Sequence, residues 1–255
     1  MARVKVASED IFYVRRGTDQ PESSMVFIHG AGGTHRHWGY QLQALTGVNL
    51  YAPDLPGHGR SGGESRTSIA GYAEFLSSFL EALGLTRTTL VGHSMGGAIG
   101  QHFALNHASK VGKLILVGTG ARLRVLPSFL EGLLNDFESA VEMILGYAYS
   151  HNAPQELVDL GRREWLANPP ETLHGDFLAC DKFDMMDSMG EIRCPTLLIC
   201  GEEDRLTPPK YSQFLQEHIA DAVLTIIPGA GHLVMLEQPE QVSVAIEEFL
   251  KTTTA

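Results

Sequence analysis

The stretch "LVGHSMGGAIG", residues Leu90–Gly100, places Ser94 between an apolar run and a glycine-rich segment. The residues Thr88–Val91 predict a buried strand, and the apolar pattern after Ser94 predicts a helix. A strand that turns into a helix at a serine forces that serine into strained backbone angles, and the neighbouring side chains must be nearly absent. Gly92 and Gly96 leave that room, so the stretch predicts a strand–turn–helix unit that exposes Ser94 as a nucleophile.

The pattern Gly-x-Ser-x-Gly occurs a second time, as "GRSGG" at Gly59–Gly63. The residues before it, "DLPGHGR", have the composition of a loop, and the residues after it, "GGESRTS", are polar. Neither a strand nor a helix is predicted at Ser61. We therefore interpret Ser61 as a loop serine.

Composition limits the classes of protein that this chain can belong to. Its 255 residues, 44% of them hydrophobic, are enough for one large domain with a sizeable core. The formal net charge of −11 argues against nucleic acid or an anionic membrane as a partner. The N-terminal "MARVKVASED" has no apolar segment, so we expect no signal peptide. Three cysteines without CxxC spacing suggest reduced thiols and a cytoplasmic protein.

Short β-rich runs alternate with amphipathic helical patterns along the chain. Alternation of this kind predicts a mostly parallel, twisted sheet with right-handed crossovers and helices on both faces. The clearest helical pattern begins at Ile69, with Gly84 as the C-terminal cap, and the last runs from Pro239 to Lys251. The candidate strands are Ile11–Arg15, Met25–His29, Leu50–Pro53, Thr88–Val91, Lys113–Val117, Thr196–Cys200 and Val223–Ile227.

One segment interrupts the alternation. Residues 121–190 contain no convincing strand and carry helical patterns rich in Leu, Phe and Met. We expect this segment to be a helical cap, inserted before the last two core strands, and residues 1–120 and 191–255 to form the α/β core.

A reactive serine needs a base, and the base needs a carboxylate to orient it. The strand at Thr196–Cys200 leads into "GEEDRLTPP", which puts Asp204 beyond its carboxyl end, and the last strand leads in the same way to His232. Catalytic groups of open α/β sheets gather at that edge. We therefore predict Ser94, Asp204 and His232 as a triad, with Glu203 as the competing carboxylate.

The glycine-rich turn in "FIHGAGG", Phe27–Gly33, follows the strand that begins at Met25. Its backbone N–H groups can approach a substrate closely because little side chain intervenes. We expect the oxyanion to be bound by N–H groups of Ala31 and Met95, with Gly32 as the second choice in the turn. His35 and His37 lack an evident third metal ligand, and no metal is expected.

Five segments in this order give the chain a resemblance to a known superfamily. They are "HGAGG", "PDLPGHGRSG", "GHSMGGAIG", "CPTLLICGEEDRLTP" and "GAGHLVMLEQP". Together they resemble the α/β-hydrolase superfamily, and within it the small capped carboxylesterases, enol-lactonases, cofactor-free haloperoxidases and meta-cleavage C–C hydrolases. The resemblance implies the α/β-hydrolase fold, no cofactor and a structural role for the loop that carries Asp54. Serine at position 94 argues against dehalogenases and epoxide hydrolases of this superfamily, which use an aspartate.

These observations favour a serine hydrolase that cleaves carboxylic esters of small to medium apolar acyl groups through an acyl-enzyme. A C–C bond hydrolase or an enol-lactonase with the same triad is the nearest alternative, with Arg162, Arg163 and Trp165 as candidates to bind a substrate carboxylate. A non-enzymatic small-ligand receptor that retains the triad is the alternative of another class. We expect a small-molecule substrate and a monomer or small homo-oligomer.

Apolar residues of the cap and glycines of the turn are the candidates to line the substrate pocket. The predicted substrate-binding residues are Gly30, Gly32, Phe129, Leu133, Leu134, Phe137, Met143, Ile144 and Leu233.

Overall fold

The computed structural model describes residues 1–17 and 24–252. An eight-stranded sheet runs through it in the order β1-β2-β4-β3-β5-β6-β7-β8. Its strands are β1 (Ala2–Val6), β2 (Glu9–Arg16), β3 (Ser24–Ile28), β4 (Asn49–Pro53), β5 (Thr88–His93), β6 (Val111–Val117), β7 (Thr196–Gly201) and β8 (Ala222–Ile227).

Strands β4, β3, β5, β6, β7 and β8 are parallel to one another. Strand β2 is antiparallel to both β4 and β1, so β1 and β2 form an antiparallel edge. The sequence predicts seven of the eight strands and misses β1. That strand, "ARVKV", alternates between exposed and more buried residues at the edge of the sheet. Its charged Arg3 and Lys5 hide the short apolar pattern, because an edge strand buries only one face.

Helices cover both faces of the sheet and form the cap. They are α1 (Gln41–Ala44), α2 (Ile69–Ala82), α3 (Met95–Asn106), α4 (Pro127–Asn135), α5 (Phe137–Ala148), α6 (Gln155–Leu166), α7 (Pro170–Asp181), α8 (Pro209–His218), α9 (Val234–Glu237) and α10 (Pro239–Thr252).

Side chains that alternate along each central strand pack into two cores. On β5, Leu90 packs with α2, α3 and α8, whereas its neighbour Val91 packs with α1 and α10. Strands β3, β4 and β7 are buried along their whole length, as expected for parallel strands covered on both faces. The sheet is therefore a rigid platform, and its carboxyl edge carries the loops that follow β3, β5, β7 and β8.

Helix α2 illustrates how local sequence sets the helix ends. The Ser68 side chain accepts a hydrogen bond from the Gly71 N–H and caps the first turn. Gly84, at φ +67°, follows the C-cap Leu83 and ends the helix as predicted.

The chain leaves the sheet after β6 and returns at β7, and the helices α4–α7 lie between these two neighbouring strands. The cap is therefore inserted before the last two core strands. In the described part of the chain, no helix has both the length and the apolar character needed to cross a bilayer.

Candidate active site

Ser94 lies at the turn between β5 and α3. Its backbone has φ 51° and ψ −115°, a conformation that costs a non-glycine residue about 1–3 kcal/mol. The Ser94 N–H donates to the Val117 carbonyl at 2.9 Å, and the Thr119 hydroxyl donates to the Ser94 carbonyl at 2.8 Å. These bonds to the end of β6 hold the strained turn in place.

The glycine at position 96 is explained by close packing of the turn against β3. A Cβ at Gly96 would overlap the Ile28 carbonyl oxygen and lie 2.7 Å from that of His29. A Cβ at Gly30 would lie 3.2 Å from the Ser94 Cβ. The serine turn and the turn after β3 are therefore in direct contact, with no room for side chains between them.

Ser61 has a different environment. Its hydroxyl donates to the Asp54 carbonyl at 2.6 Å and accepts a hydrogen bond from the Phe12 N–H at 3.0 Å. With both bonds made inside a loop, this hydroxyl joins the loop to β2, which agrees with its interpretation as a loop serine.

The Asp204 carboxylate faces His232, which lies in the loop after β8. His232 Nδ1 and Asp204 Oδ2 are 2.9 Å apart, and both side chains are buried. Asp204 Oδ1 accepts from the N–H groups of Leu206 and Thr207 at 2.9 and 2.8 Å, and Oδ2 accepts from the Thr207 hydroxyl at 2.8 Å. Four donors therefore fix the carboxylate in one orientation.

Glu203, the competing carboxylate, lies elsewhere. Its Oε2 accepts a hydrogen bond from the N–H of His151, at the start of the loop between α5 and α6. Asp204 is therefore the carboxylate that contacts the imidazole of His232. Thr207, whose hydroxyl also lies 3.1 Å from His232 Nδ1, is a contact that the sequence does not reveal.

His93 packs against the imidazole of His232, with ring centroids 4.7 Å apart. Its Nε2 lies 2.9 Å from the His232 carbonyl, to which the neutral ring donates. Burial, together with the neighbouring His232, holds the pKa of His93 well below its ordinary value. Because it stays neutral, His93 supports the His232 loop without placing a charge beside it.

The turn Gly30–Gly33 is closed by a hydrogen bond of 3.1 Å from the Gly33 N–H to the Gly30 carbonyl. Gly32 takes φ +63°, and its N–H donates to Asp176 Oδ2 at 2.9 Å. Gly32, the second choice for an oxyanion donor in this turn, is therefore not available, because its N–H is already bound. Among the described residues, the N–H groups of Ala31 and Met95 have no hydrogen-bond partner; Met95 is the first residue of α3.

A cavity of about 330 Å³ connects these groups under the cap. Ala31, Ser94 and His232 contribute to its wall, and no Asp or Glu of the described residues lines it. Most of its remaining lining is apolar or aromatic: Leu123, Val125, Leu126, Phe129, Tyr147, Trp165, Phe177, Leu206, Tyr211 and Leu233. A strained serine, a carboxylate-bound imidazole and the turn residue Ala31 thus share one apolar cavity.

The sequence profile of the alpha/beta hydrolase family matches residues 25–245. The chain belongs to this family. The match contains the serine turn, the loops that carry Asp204 and His232, and the whole cap, so all of these lie within the region shared with the family.

Relatives and solved structures agree with this membership. A thermophilic esterase of known structure is 38% identical to this hydrolase, with a TM-score of 0.88 over 99% of this chain and 98% of that one. The 2-hydroxy-6-oxo-6-phenylhexa-2,4-dienoate hydrolase of Comamonas testosteroni is 26% identical over 97% of this chain and 95% of its own length. The enol-lactonase of Burkholderia xenovorans LB400 shares the fold, with 21% identity and a TM-score of 0.92 over 98% of this chain and 100% of that one.

The structure corrects most of the predicted cap contacts of this hydrolase. Of the predicted apolar residues, Phe129 and Leu233 line the cavity. The others do not: Leu133 and Ile144 are fully buried between helices, Leu134 and Met143 are exposed, and Phe137 packs at the edge of the core. Periodicity identifies the apolar face of a helix but not the partner that covers it.

The two glycines predicted to bind substrate also lie outside the cavity lining. Gly30 packs on the serine turn, and Gly32 lies beneath Leu173 and Trp165 of the cap. These two glycines shape the backbone of the turn and do not contact the cavity.

The structure also relocates the positive charge near the pocket. Arg162 forms a surface ion pair with Glu142 at 2.7 Å, and Arg163 lines a separate cavity between α6 and the core. Trp165 does line the cavity beside Ser94, together with Arg124 and Arg205. These two arginines follow β6 and β7, in loops where no sequence pattern singles them out.

Proposed function

We propose that this alpha/beta hydrolase is a serine carboxylesterase for small to medium apolar acyl groups. The observation that carries the proposal is the contact between Asp204 and His232, whose imidazole lines the same cavity as the strained Ser94. A serine, an imidazole and a carboxylate in this arrangement activate a hydroxyl for attack on a carbonyl carbon.

The reaction proceeds through an acyl-enzyme. Ser94 Oγ attacks the ester carbonyl while His232 accepts the hydroxyl proton at Nε2, and Asp204 stabilises the resulting imidazolium through Nδ1. The N–H groups of Ala31 and Met95 bind the oxyanion of the tetrahedral intermediate. His232 then protonates the leaving alcohol, and a water molecule, deprotonated by His232, releases the acid from Ser94.

The cavity supports a small substrate. Its volume of about 330 Å³ is at the lower end of the range for small-molecule sites, roughly 300–1,000 Å³. Phe129, Phe177 and Trp165 form an aromatic cluster, with ring centroids 6.5 and 6.3 Å apart in the two pairs that share Phe177. Apolar walls of this kind favour an aliphatic or aromatic acyl group.

A second candidate, hydrolysis of a C–C bond or lactone in a carboxylate-bearing substrate, is favoured by the charge at the pocket. Arg124 and Arg205 line the cavity of a chain with net charge −11, and no acidic residue of the described part lines it with them. Asp184 lies 3.7 Å from Arg124 and 3.6 Å from Arg122, so its single negative charge is shared between these two arginines. The dienoate hydrolase is a relative whose name fits this chemistry.

A substrate panel tests both candidates. We expect p-nitrophenyl acetate and butyrate to be turned over faster than the octanoate ester, and kcat/KM for a ring-cleavage dienoate to be lower than for butyrate. Ser94→Ala serves as the inactive control. A higher kcat/KM for the dienoate would favour the second candidate, and no turnover of any substrate would favour a non-enzymatic receptor.

A further inference from the structure

The Ala31 N–H belongs to a peptide group whose carbonyl is held from both sides. The Gly30 carbonyl accepts from the Gly33 N–H at 3.1 Å, and His29 Nδ1 lies 2.8 Å away. His29 Nε2 accepts a hydrogen bond from the Leu55 N–H at 3.0 Å, so the proton of this ring is on Nδ1 and is donated to Gly30. The N–H of a trans peptide points opposite to its carbonyl, so these bonds also fix the direction of the Ala31 N–H.

The cap holds the next two peptide groups of the same turn. The Gly32 N–H donates to Asp176 Oδ2 at 2.9 Å, and Asn168 Nδ2 donates to the Gly32 carbonyl at 2.9 Å. Asp176 lies on α7 and Asn168 lies just after α6. Each of the three peptide groups between Gly30 and Gly33 makes a hydrogen bond, and among the described residues the Ala31 N–H is the donor of this turn that is left free.

Asp176 is itself fixed in a fully buried network. Its carboxylate accepts from the Tyr72 hydroxyl and from His58 Nε2, the latter at 2.7 Å. His58 Nδ1 donates to the Pro56 carbonyl at 3.0 Å, so both nitrogens of the ring are donors and His58 is an imidazolium. Burial opposes that charge, but Asp176 raises the pKa of His58 above its ordinary value.

A buried ion pair is weak evidence for stability, because desolvation offsets the attraction between the charges. Apolar side chains could join α7 to the core at least as firmly. Apolar side chains could not, however, accept a hydrogen bond from the Gly32 N–H. The contact of this ion pair with the turn is therefore the feature that calls for a functional explanation.

We propose that Asp176 and Asn168 are positioning residues that hold the two peptide groups of Gly32 and so keep the Ala31 N–H directed at the oxyanion. In this view the cap completes the oxyanion site instead of only covering the pocket. The inference rests on the proposed ester hydrolysis by Ser94.

Asn168→Asp is the main test, because it keeps the size of the side chain and replaces the donor to Gly32 with an acceptor. Losing one oxyanion donor lowers kcat by roughly 10²–10³-fold, and a misdirected donor should lose part of this, about 10-fold or more. We expect that fall in kcat on p-nitrophenyl butyrate with KM changed by less than about two-fold. Binding of a trifluoromethyl ketone, which forms an oxyanion with the serine, should weaken by the same factor as kcat/KM. Asp176→Asn should act in the same direction.

Tyr72→Phe is the matched control. It removes a hydrogen bond from the same Asp176 carboxylate but none from the turn. We expect it to lower the melting temperature while kcat and ketone affinity stay within about two-fold of the wild type.

Equal effects of Asn168→Asp and Tyr72→Phe on kcat, in a wild type that hydrolyses the ester, would overturn the inference and leave the proposed function standing. The inference also fails if Asn168→Asp raises KM and leaves kcat unchanged, or if it weakens binding of the ketone by no more than it weakens binding of the product, butyrate. A wild type that neither hydrolyses esters nor binds the ketone would overturn the proposed function, and the inference with it.

Discussion

Replacing Asp204 with asparagine changes one atom of the side chain, and the geometry determines where the new amide group goes. Oδ1 accepts from the two backbone N–H groups of Leu206 and Thr207, so the amide oxygen stays on that side. The NH₂ group must then face the Thr207 hydroxyl and His232 Nδ1. His232 can accept this N–H only with Nδ1 unprotonated, which moves the ring proton to Nε2.

An imidazole with its proton on Nε2 cannot take the proton of Ser94. The corresponding change in another triad enzyme leaves the geometry intact and lowers kcat by about 10⁴, or about 5 kcal/mol of transition-state stabilisation. We expect a loss of this size for Asp204→Asn on p-nitrophenyl butyrate. The measurement is the initial rate at saturating ester, with circular dichroism to establish that the variant is folded.

Glu203→Gln is the matched control, since it neutralises the adjacent carboxylate, which accepts from the His151 N–H instead of His232. Its kcat should stay within about two-fold of the wild type. The reasoning is refuted if Asp204→Asn keeps a tenth or more of the activity, or if Glu203→Gln loses most of it.

Three further changes test the packing, the pocket and the pH response. Gly96→Ala should inactivate the enzyme, because its Cβ meets the carbonyls of β3, whereas Gly146→Ala in α5 points into open space and should stabilise the fold by about 0.5–1 kcal/mol in urea denaturation. Phe129→Ala should shift the preference of kcat/KM among acyl lengths towards longer esters, while Met143→Ala, on the exposed face of α5, should leave it unchanged. Burial, with the charge of a neighbouring imidazolium, lowers the pKa of His29 in the folded protein to about 3, whereas the ordinary pKa of histidine in the unfolded chain is 6.5. Between these two pH values the unfolded chain binds a proton that the folded protein does not. The free energy of unfolding should therefore fall by about 2 kcal/mol at this site between about pH 7 and pH 5, and His29→Gln should remove that part of the slope.

The sequence was sufficient to predict that Ser94, Asp204 and His232 lie at one edge of the sheet. Each follows a short apolar strand, and parallel strands deliver their following loops to the same edge. The choice between Asp204 and Glu203 needed the structure, since adjacent residues of a loop can point in different directions and only the Thr207 and Leu206 contacts fix which one faces the imidazole.

The pocket lining could not be predicted in the same way. The helices α4 and α5 have apolar faces that sequence periodicity finds, but Leu133 and Ile144 use theirs for packing between helices. Trp165 and Phe177 lie on the cap helices α6 and α7, and only the tertiary packing of these helices places the two side chains in the cavity wall. The hydrogen bond between Gly32 and Asp176 joins residues far apart in the chain, and no local pattern records it.

The central claim, that Ser94 is the one activated hydroxyl, is tested most directly by covalent labelling with an organophosphonate ester followed by tryptic mass mapping. The label should be found on the peptide Thr88–Lys110, which contains Ser94, and not on Ser61–Arg66. Ser94→Ala should abolish labelling and lower kcat by about 10⁶, the scale seen when a triad nucleophile is lost. Ser61→Ala should label and turn over like the wild type. Labelling on Ser61–Arg66, or full activity in Ser94→Ala, would contradict the account.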